Sequence, residues 1–317
     1  MSMEYKLVAL SKKYVSSFED LIKTSFPLQS SDVHQLVEWK FLTRRANRMA
    51  VSYVAVTPQG RVVSQYSNIP IAISQEKRVY RGMVCADMAT LPDHRGQGLI
   101  SKLSKKVYEE VSKNTDISIG SSNALGVQVD RNSSSYGYHV VGEFTQYIKV
   151  IFRAQNTSAN LVKISDFDHD FVPQKSTHFQ IYKDYEYLHW RYVTKPENTY
   201  QLFRVEILGR DVGYVVLVVQ KSRMYVYEII SKEDSHENTQ SLLKALEQYA
   251  YTSGCYLLVY RVLDCEYWKT YFSRGRYLKR SPKRVKYYFT VKVHNEELLS
   301  KHIFEKDNWI IGNGDTY

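Results

Sequence analysis

The chain has 317 residues and a formal charge of +10, with 44% hydrophobic and 24% charged residues, a balance that fits a globular protein with room for two cores. No apolar run approaches the roughly 20 residues needed to cross a bilayer, and "MSMEYKLVALSKKY" has no signal-peptide core or cleavage site, so a cytoplasmic protein without a membrane partner is expected. Cys85, Cys255 and Cys265 are an odd set with no Cys-x-x-Cys pair, which argues against a disulfide framework and a zinc site.

In chain order, short runs rich in β-branched and aromatic residues predict strands over 49–56, 61–73 and 82–90. A proline turn and "RGQG" follow, and then Leu99, Leu103, Val107 and Val111 recur every fourth residue, predicting an amphipathic helix over 99–113. Strands are predicted at 116–121 and 144–152, so the order strand, glycine turn, helix, strand describes a crossover unit. Residues 153–178 are polar and weakly periodic and read as a linker with some order of its own. "DHD" at 168–170 lies there without partners at metal spacing, so a solvated loop is expected and no metal.

The second half repeats this grammar. "HWRYVTKPE" at Trp190 echoes "EWKFLTRRA" at Trp39, and strands at 200–208, 211–220 and 224–231 precede a helix at 239–254 and a strand at 256–263. The fold class expected is α/β (α+β), two tandem domains, each a mixed, mostly antiparallel twisted sheet flanked by helices. The boundaries are 1–152 and 179–317, joined by the linker 153–178. The paired tryptophans are expected to be core anchors. The basic run from Arg274 to Lys286 reads as a solvated hairpin face. The 27 tyrosines should mostly pack with the ring inside and the hydroxyl outside.

A helix N-terminus presents unpaired N–H groups and the positive end of the macrodipole. Glycines there let a phosphate approach the backbone, so Gly96 and Gly98 around Gln97, with Arg95 beside them, form a candidate anion cradle. It is not a Walker loop, because no Gly-Lys-Ser/Thr follows, and it lacks the third glycine of a dinucleotide fingerprint.

"LPDHRGQGLISKL" resembles the acyl-CoA-binding motif of the GNAT acyltransferase superfamily, whose pattern is Arg/Gln-x-x-Gly-x-Gly/Ala; Arg95 and Gly98 match, and Ile100 stands where Gly or Ala is usual. The tryptophan triplet, "GSSN" at the fifth predicted strand, "YGYHVVGEF" and the C-terminal "DNWIIGNGDTY" extend the resemblance, with the second half a degenerate copy. It implies a pantetheine lying along Met88, Ala89 and Thr90 and a pyrophosphate on the amides of Arg95, Gly96, Gln97, Gly98, Leu99, Ile100 and Ser101, so the co-substrate implied is an acyl-CoA. At the corresponding turn the second half has no glycine but carries Glu228, Glu233, Asp234 and Glu237, which would repel a pyrophosphate. One acyl-CoA site is therefore expected, with the second half shaping the acceptor site or a homodimer contact.

Acyl transfer to an amine needs a deprotonated amine, a stabilised oxyanion and a proton for the departing thiolate. Asp87, a carboxylate in an apolar strand beside the implied thioester, is the first candidate base, with a structural aspartate as the alternative reading. Asn123 is a candidate to orient the amine, or a turn residue at a strand end. Many family members carry a tyrosine four residues before the Gly-Phe turn; here that position is Ser133, and Tyr136 adjoins the glycine instead. Ser133, Ser134 and Tyr136 are the substitutes for that acid, and substrate-assisted catalysis stays open.

Among tandem proteins of the superfamily, the chain resembles bacterial sugar N-acyltransferases of surface-polysaccharide pathways in size, in "RGxGxxSKL" and in "HWRY…KPENTYQLF". The implied acceptor is an amino group on a nucleotide-linked deoxysugar for O-antigen or capsule, and the implied acyl group is acetyl or a larger hydroxyacyl such as hydroxybutanoyl. The rival readings are an acetyltransferase of another small amine, a catalytically idle CoA-binding protein, and a nucleic-acid binder suggested only by the charge.

Overall fold

The computed structural model describes residues 4–26, 32–45, 47–123, 126, 137–196, 198–232, 236–281 and 286–316. In the first half, strands β1 (Lys6–Ala9), β2 (Val51–Val56), β3 (Val62–Gln75), β4 (Arg78–Thr90), β5 (Ile117–Asn123) and β6 (His139–Val150) are formed. In the second, β7 (Ala159–Ile164) and β8 (Gln180–Ile181) precede β9 (Gln201–Ile207), β10 (Arg210–Gln220), β11 (Arg223–Ser231), β12 (Leu257–Leu263), β13 (Leu278–Arg280) and β14 (Tyr287–Val293). These form one mixed, mostly antiparallel sheet in the order β1-β2-β3-β4-β5-β14-β6-β12-β11-β10-β9-β7, with β8 on β3 and β13 on β6.

The expected helix is observed as Leu99–Val111, and Leu99, Leu103, Val107 and Val111 are buried on the sheet as the period demands. Each such side chain contributes roughly 1.5–3 kcal/mol on burial. The helix joins β4 to β5, which pair in parallel, as a crossover requires. Its counterpart His236–Thr252 joins the parallel pair β11 and β12. On the same face as each long helix lies a separate apolar cluster, whereas a third cluster fills the opposite face and draws on both halves. At its centre Trp39 and Trp190 stack at 4.8 Å. Each indole N–H donates to the other tryptophan's carbonyl, at 2.9 and 3.3 Å. Both residues sit in five-residue π turns, Glu38–Leu42 and His189–Val193, so the repeated triplets are repeated structures.

Several elements do not stand out in the sequence. The stretch 153–178 contains β7, the outermost strand, paired with β9. More consequential is β14, which comes from the far end of the chain yet inserts between β5 and β6, pairing antiparallel with both. β6 in turn passes its second part to β12. The two halves therefore exchange strands rather than closing one sheet each. In the basic run, Leu278–Arg280 is exposed along its length. Among the described residues, no helix is long and apolar enough to cross a membrane.

Candidate functional site

β4 and β5 pair only where Gly82, Met83 and Val84 meet Ile117, Ser118 and Ile119. Beyond Val84, β4 continues against β3 and β5 against β14, so the two strands open into a wedge. A β-bulge helps to open it: the register between β3 and β4 shifts around Tyr66, opposite Asp87 and Met88, and Asp87 has φ 50°. A left-handed conformation at a non-glycine residue costs roughly 1–2 kcal/mol, and such outliers gather where geometry is bound to function.

At the open end, β4 runs through Thr90 and a short turn at Pro92–His94 into the glycines. Gly96 and Gly98 have φ 76° and 65°, and a Cβ on either would project into open space. Gly98 caps the helix with no side chain bonded to its first turn, and the Lys102 amide is the first to bond back, to the Gly98 carbonyl at 3.1 Å. The amides of Leu99 and Ile100 thus precede the intrahelical ladder. Arg95, exposed, is pinned there because its Nε donates to the Thr90 carbonyl at 3.1 Å. Met88 and Thr90 are half-buried and Ala89 is buried. The turn from Arg95 to Ser101 and the strand edge from Met88 to Thr90 therefore lie together beside the gap that opens between β4 and β5. His94 is turned away to Tyr5, at 2.9 Å.

Asp87 is half-buried at the bulge, and its Oδ2 accepts from Lys40 Nζ, an ion pair whose side chains keep 22% and 10% exposure. Lys40 follows Trp39 in the first π turn, so the aspartate is held by a lysine rather than standing alone in an apolar strand. Asn123, exposed at the end of β5, accepts the Gly126 amide at 2.9 Å and so closes a strand-end turn. Ser133 and Tyr136 lie outside the described residues, as do Ser134, Glu233 and Asp234.

The wedge has a polar floor that the sequence did not reveal. Cys85 Sγ contacts the Tyr66 hydroxyl at 3.2 Å, Tyr66 and Tyr108 hydroxyls lie 2.6 Å apart, and Tyr108 reaches the Tyr138 hydroxyl at 3.0 Å. Burial raises Tyr66 and Tyr108 well above the ordinary phenol range, so both are neutral donors at physiological pH. Tyr138, Cys85 and Thr290 surround Gly120, the first β5 residue past the last β4–β5 pair, so the chain of hydroxyls reaches the apex of the wedge. Only the placement of Tyr138 after the Gly137 turn was a usable signal. Tyr66 and Tyr108 read as two more tyrosines on buried faces.

The second half has the same wedge, closed. β11 and β12 pair only from Arg223 to Val226, and a bulge at Tyr227 follows. The C-terminal segment enters the opening: the Leu263 amide donates to the Ile311 carbonyl at 3.0 Å, Val262 bridges to Gly312, and the Ile310 amide donates to Phe179. Asp315 and Glu228 hold Lys183 at 3.0 and 2.6 Å, and the Tyr192 hydroxyl donates to Glu228 at 2.6 Å. Burial pushes Glu228 up to about 7 against the pull of Lys183. The tail leaves a cavity in this second opening, lined among others by Glu228, Thr239, Arg261 and Gly312, and Glu237 is exposed in the first turn of His236–Thr252. Among the described residues, no group of three or more His, Cys, Asp or Glu is placed to hold a metal.

Residues 6–127 match the family model described as the acetyltransferase (GNAT) domain. A conserved Enterococcus faecalis V583 protein, given as a candidate N-acyltransferase, superposes with a TM-score of 0.69 at 13% identity, over 92% of this chain and 73% of that one. A GCN5-related N-acetyltransferase of Anabaena variabilis gives 0.67 at 11% identity, over 92% and 74%. A tandem GNAT protein from the clavulanic acid biosynthesis pathway gives 0.59 at 11%, over 92% of this chain and 99% of its own. No curated protein matches the sequence. Residues 6–127 are thus matched by the GNAT acetyltransferase domain, a family whose co-substrate is an acyl-CoA, and the whole chain shares the fold of the tandem neighbour.

Proposed function

We propose that the protein transfers an acyl group from acyl-CoA to the amino group of a nucleotide-linked amino sugar of the O-antigen or capsule type, the acyl group being acetyl or a larger hydroxyacyl such as hydroxybutanoyl. The observation that carries the reading is the conjunction of the β4–β5 wedge with the glycine turn at its mouth. The wedge exposes a strand edge to the pantetheine and the turn presents amides to the pyrophosphate. The tail seated in the second wedge supports a single acyl-CoA site and leaves the second half to the acceptor.

In this reading the acceptor amine enters between the halves and is oriented by the Asp87 carboxylate, whose other oxygen is tied to Lys40. As the amine attacks the thioester carbonyl it gives up a proton to the Asp87 carboxylate, and the oxyanion is met by a backbone N–H of β4 near Met88. The thiolate leaves with a proton drawn from Tyr138, which Tyr108 and Tyr66 back with neutral hydroxyls. The diphosphate and base of a nucleotide-linked acceptor suit the +10 charge and the abundance of tyrosine.

The test is incubation with acetyl-CoA and longer acyl-CoAs against a panel of amino-sugar nucleotides, reading thiol release and product mass, with Gly98→Trp as the blocked cradle. Acylated nucleotide sugar formed by the unmodified protein alone is the expected result. Turnover of a different amine would replace the acceptor, and failure of the unmodified protein to bind CoA would sink the reading entirely.

A further inference from the structure

At the junction between the halves stand the half-buried side chains Lys195, Tyr200, Tyr227, Arg261 and Tyr287, of which Tyr227 and Arg261 also line the cavity in the second wedge. Tyr200 joins two cations: its hydroxyl accepts from Lys195 Nζ and from Arg191 Nη1, each at 3.4 Å. Its ring meets Tyr227 edge-on at 5.0 Å. Arg261 lies 4.3 Å over the Tyr287 ring, and Tyr287 pairs with Asn123 at one lip of the wedge. The other lip is Asp87 with Lys40. Lys195, Tyr200 and Tyr227 thus form one contiguous group, and Arg261 with Tyr287 a second one reaching the Asn123 lip.

The charge of these side chains is unbalanced. Lys40 has Asp87 as a counter-ion and Lys183 has two carboxylates, but among the described residues no carboxylate lies within ion-pair distance of Lys195 or Arg261. Arg261 Nη2 is buried without a hydrogen-bond partner, among the described residues. Burial, followed by the charges of other cations for Lys195, lowers the proton affinity of both groups. A cation withdrawn from water without an opposite charge is costly to the fold. Such a site becomes favourable when a ligand brings the missing charge, and bonds between ionised partners are the strong ones. The flanking phenols add flat faces on which a planar group can stack.

We propose that these side chains bind an anionic group carried by the acyl acceptor, of the phosphate-ester class, with Lys195 and Arg261 supplying the charge and Tyr200, Tyr227 and Tyr287 the walls. The proposal rests on reading the β4–β5 wedge as the acyl-transfer site, because that reading makes this junction the acceptor's entrance. A carboxylate would satisfy the same two cations, so both anion classes enter the test.

The experiment first saturates the full chain with CoA, which occupies the cradle, and then titrates inorganic pyrophosphate, and separately succinate, by calorimetry. The unmodified protein is expected to bind pyrophosphate, and Lys195→Met and Arg261→Met are each expected to weaken it by about tenfold or more. CoA affinity in each variant, measured beforehand, should stay within about twofold of the unmodified value, which also reports that the variant is folded. Arg261→Lys should recover part of the loss. Binding of succinate in place of pyrophosphate, with the same dependence on Lys195 and Arg261, keeps the anion site and changes the acceptor's class to carboxylate.

The proposal is overturned if the CoA-saturated protein binds neither anion, if both methionine variants bind as the unmodified chain does, or if they lose CoA instead. Acyl transfer without anion binding defeats this proposal and leaves the proposed function standing. Anion binding without acyl transfer to any amine does the reverse.

Discussion

Gly98 has to be left-handed to turn β4 into the helix, and its missing side chain keeps the cradle open. Gly98→Val should cost roughly 1–2 kcal/mol in denaturant melts through strain, and should weaken CoA binding by more than about tenfold, since the added methyls project where phosphate would sit. That residue was legible in the sequence because a glycine pair before a helical period has few other uses. Asp87 was legible as a buried carboxylate, but its partner was not: Lys40 comes from a π turn far upstream, and only the fold brings them together. Asp87→Ala should destabilise by roughly 2–3 kcal/mol, less than a fully enclosed pair because the aspartate stays partly wetted. Lys40→Met should recover most of that loss in the double variant, which a double-mutant cycle reads directly. The Tyr66–Tyr108–Tyr138 chain was not legible, since hydrogen bonding among three of 27 tyrosines leaves no mark on spacing. At Glu228 the folded state holds a proton more tightly than the unfolded chain. Its contribution to stability is therefore complete below about pH 4.5 and lost as the pH rises through about 7. Thermal melts of Glu228→Gln should accordingly show a smaller fall in stability between pH 5 and pH 8 than those of the unmodified protein.

At the scale of elements, the segments with a clear period were readable and those defined by their neighbours were not. The helix Leu99–Val111 and the strands β2 to β5 and β9 to β12 fall within a few residues of their expected places, because their apolar spacing is dictated by the face they bury. By contrast, β7 is a half-exposed edge strand and the C-terminal tail has no period, since it is held by scattered bonds to Phe179, Leu263, Arg191 and Lys183. Gly314 shows how closely that tail is seated: a Cβ there would overlap the Tyr192 hydroxyl and the Glu228 carboxylate. Gly314→Ala should lower stability by roughly 1–3 kcal/mol while CoA affinity stays as it was, because the glycine turn belongs to another part of the sheet than the tail's partners Leu263 and Glu228. Equal losses in both measurements would mean that the two wedges are coupled.

For the whole molecule, the two-domain reading from repeated triplets captured the duplication but not how the copies are joined. A strand that crosses from one half to the other has the same local pattern as one that stays, so exchange is invisible to periodicity. The shared sheet and the stacked tryptophans make separate melting of the halves unfavourable, and scanning calorimetry should show one cooperative transition whose van 't Hoff and calorimetric enthalpies agree. Two resolved transitions would mean that the junction is weaker than its geometry indicates.

The placement of β14 also sets an order of events at the ribosome. Domains generally fold from the N-terminus as they are made, but the wall of the first wedge is built partly from Tyr287–Val293, which emerge long after the glycine turn. A nascent chain therefore carries its phosphate cradle for most of its synthesis without the strand that braces β5. A truncated product ending before that strand is expected to be unable to consume acyl-CoA, which a turnover assay on the shortened chain would check.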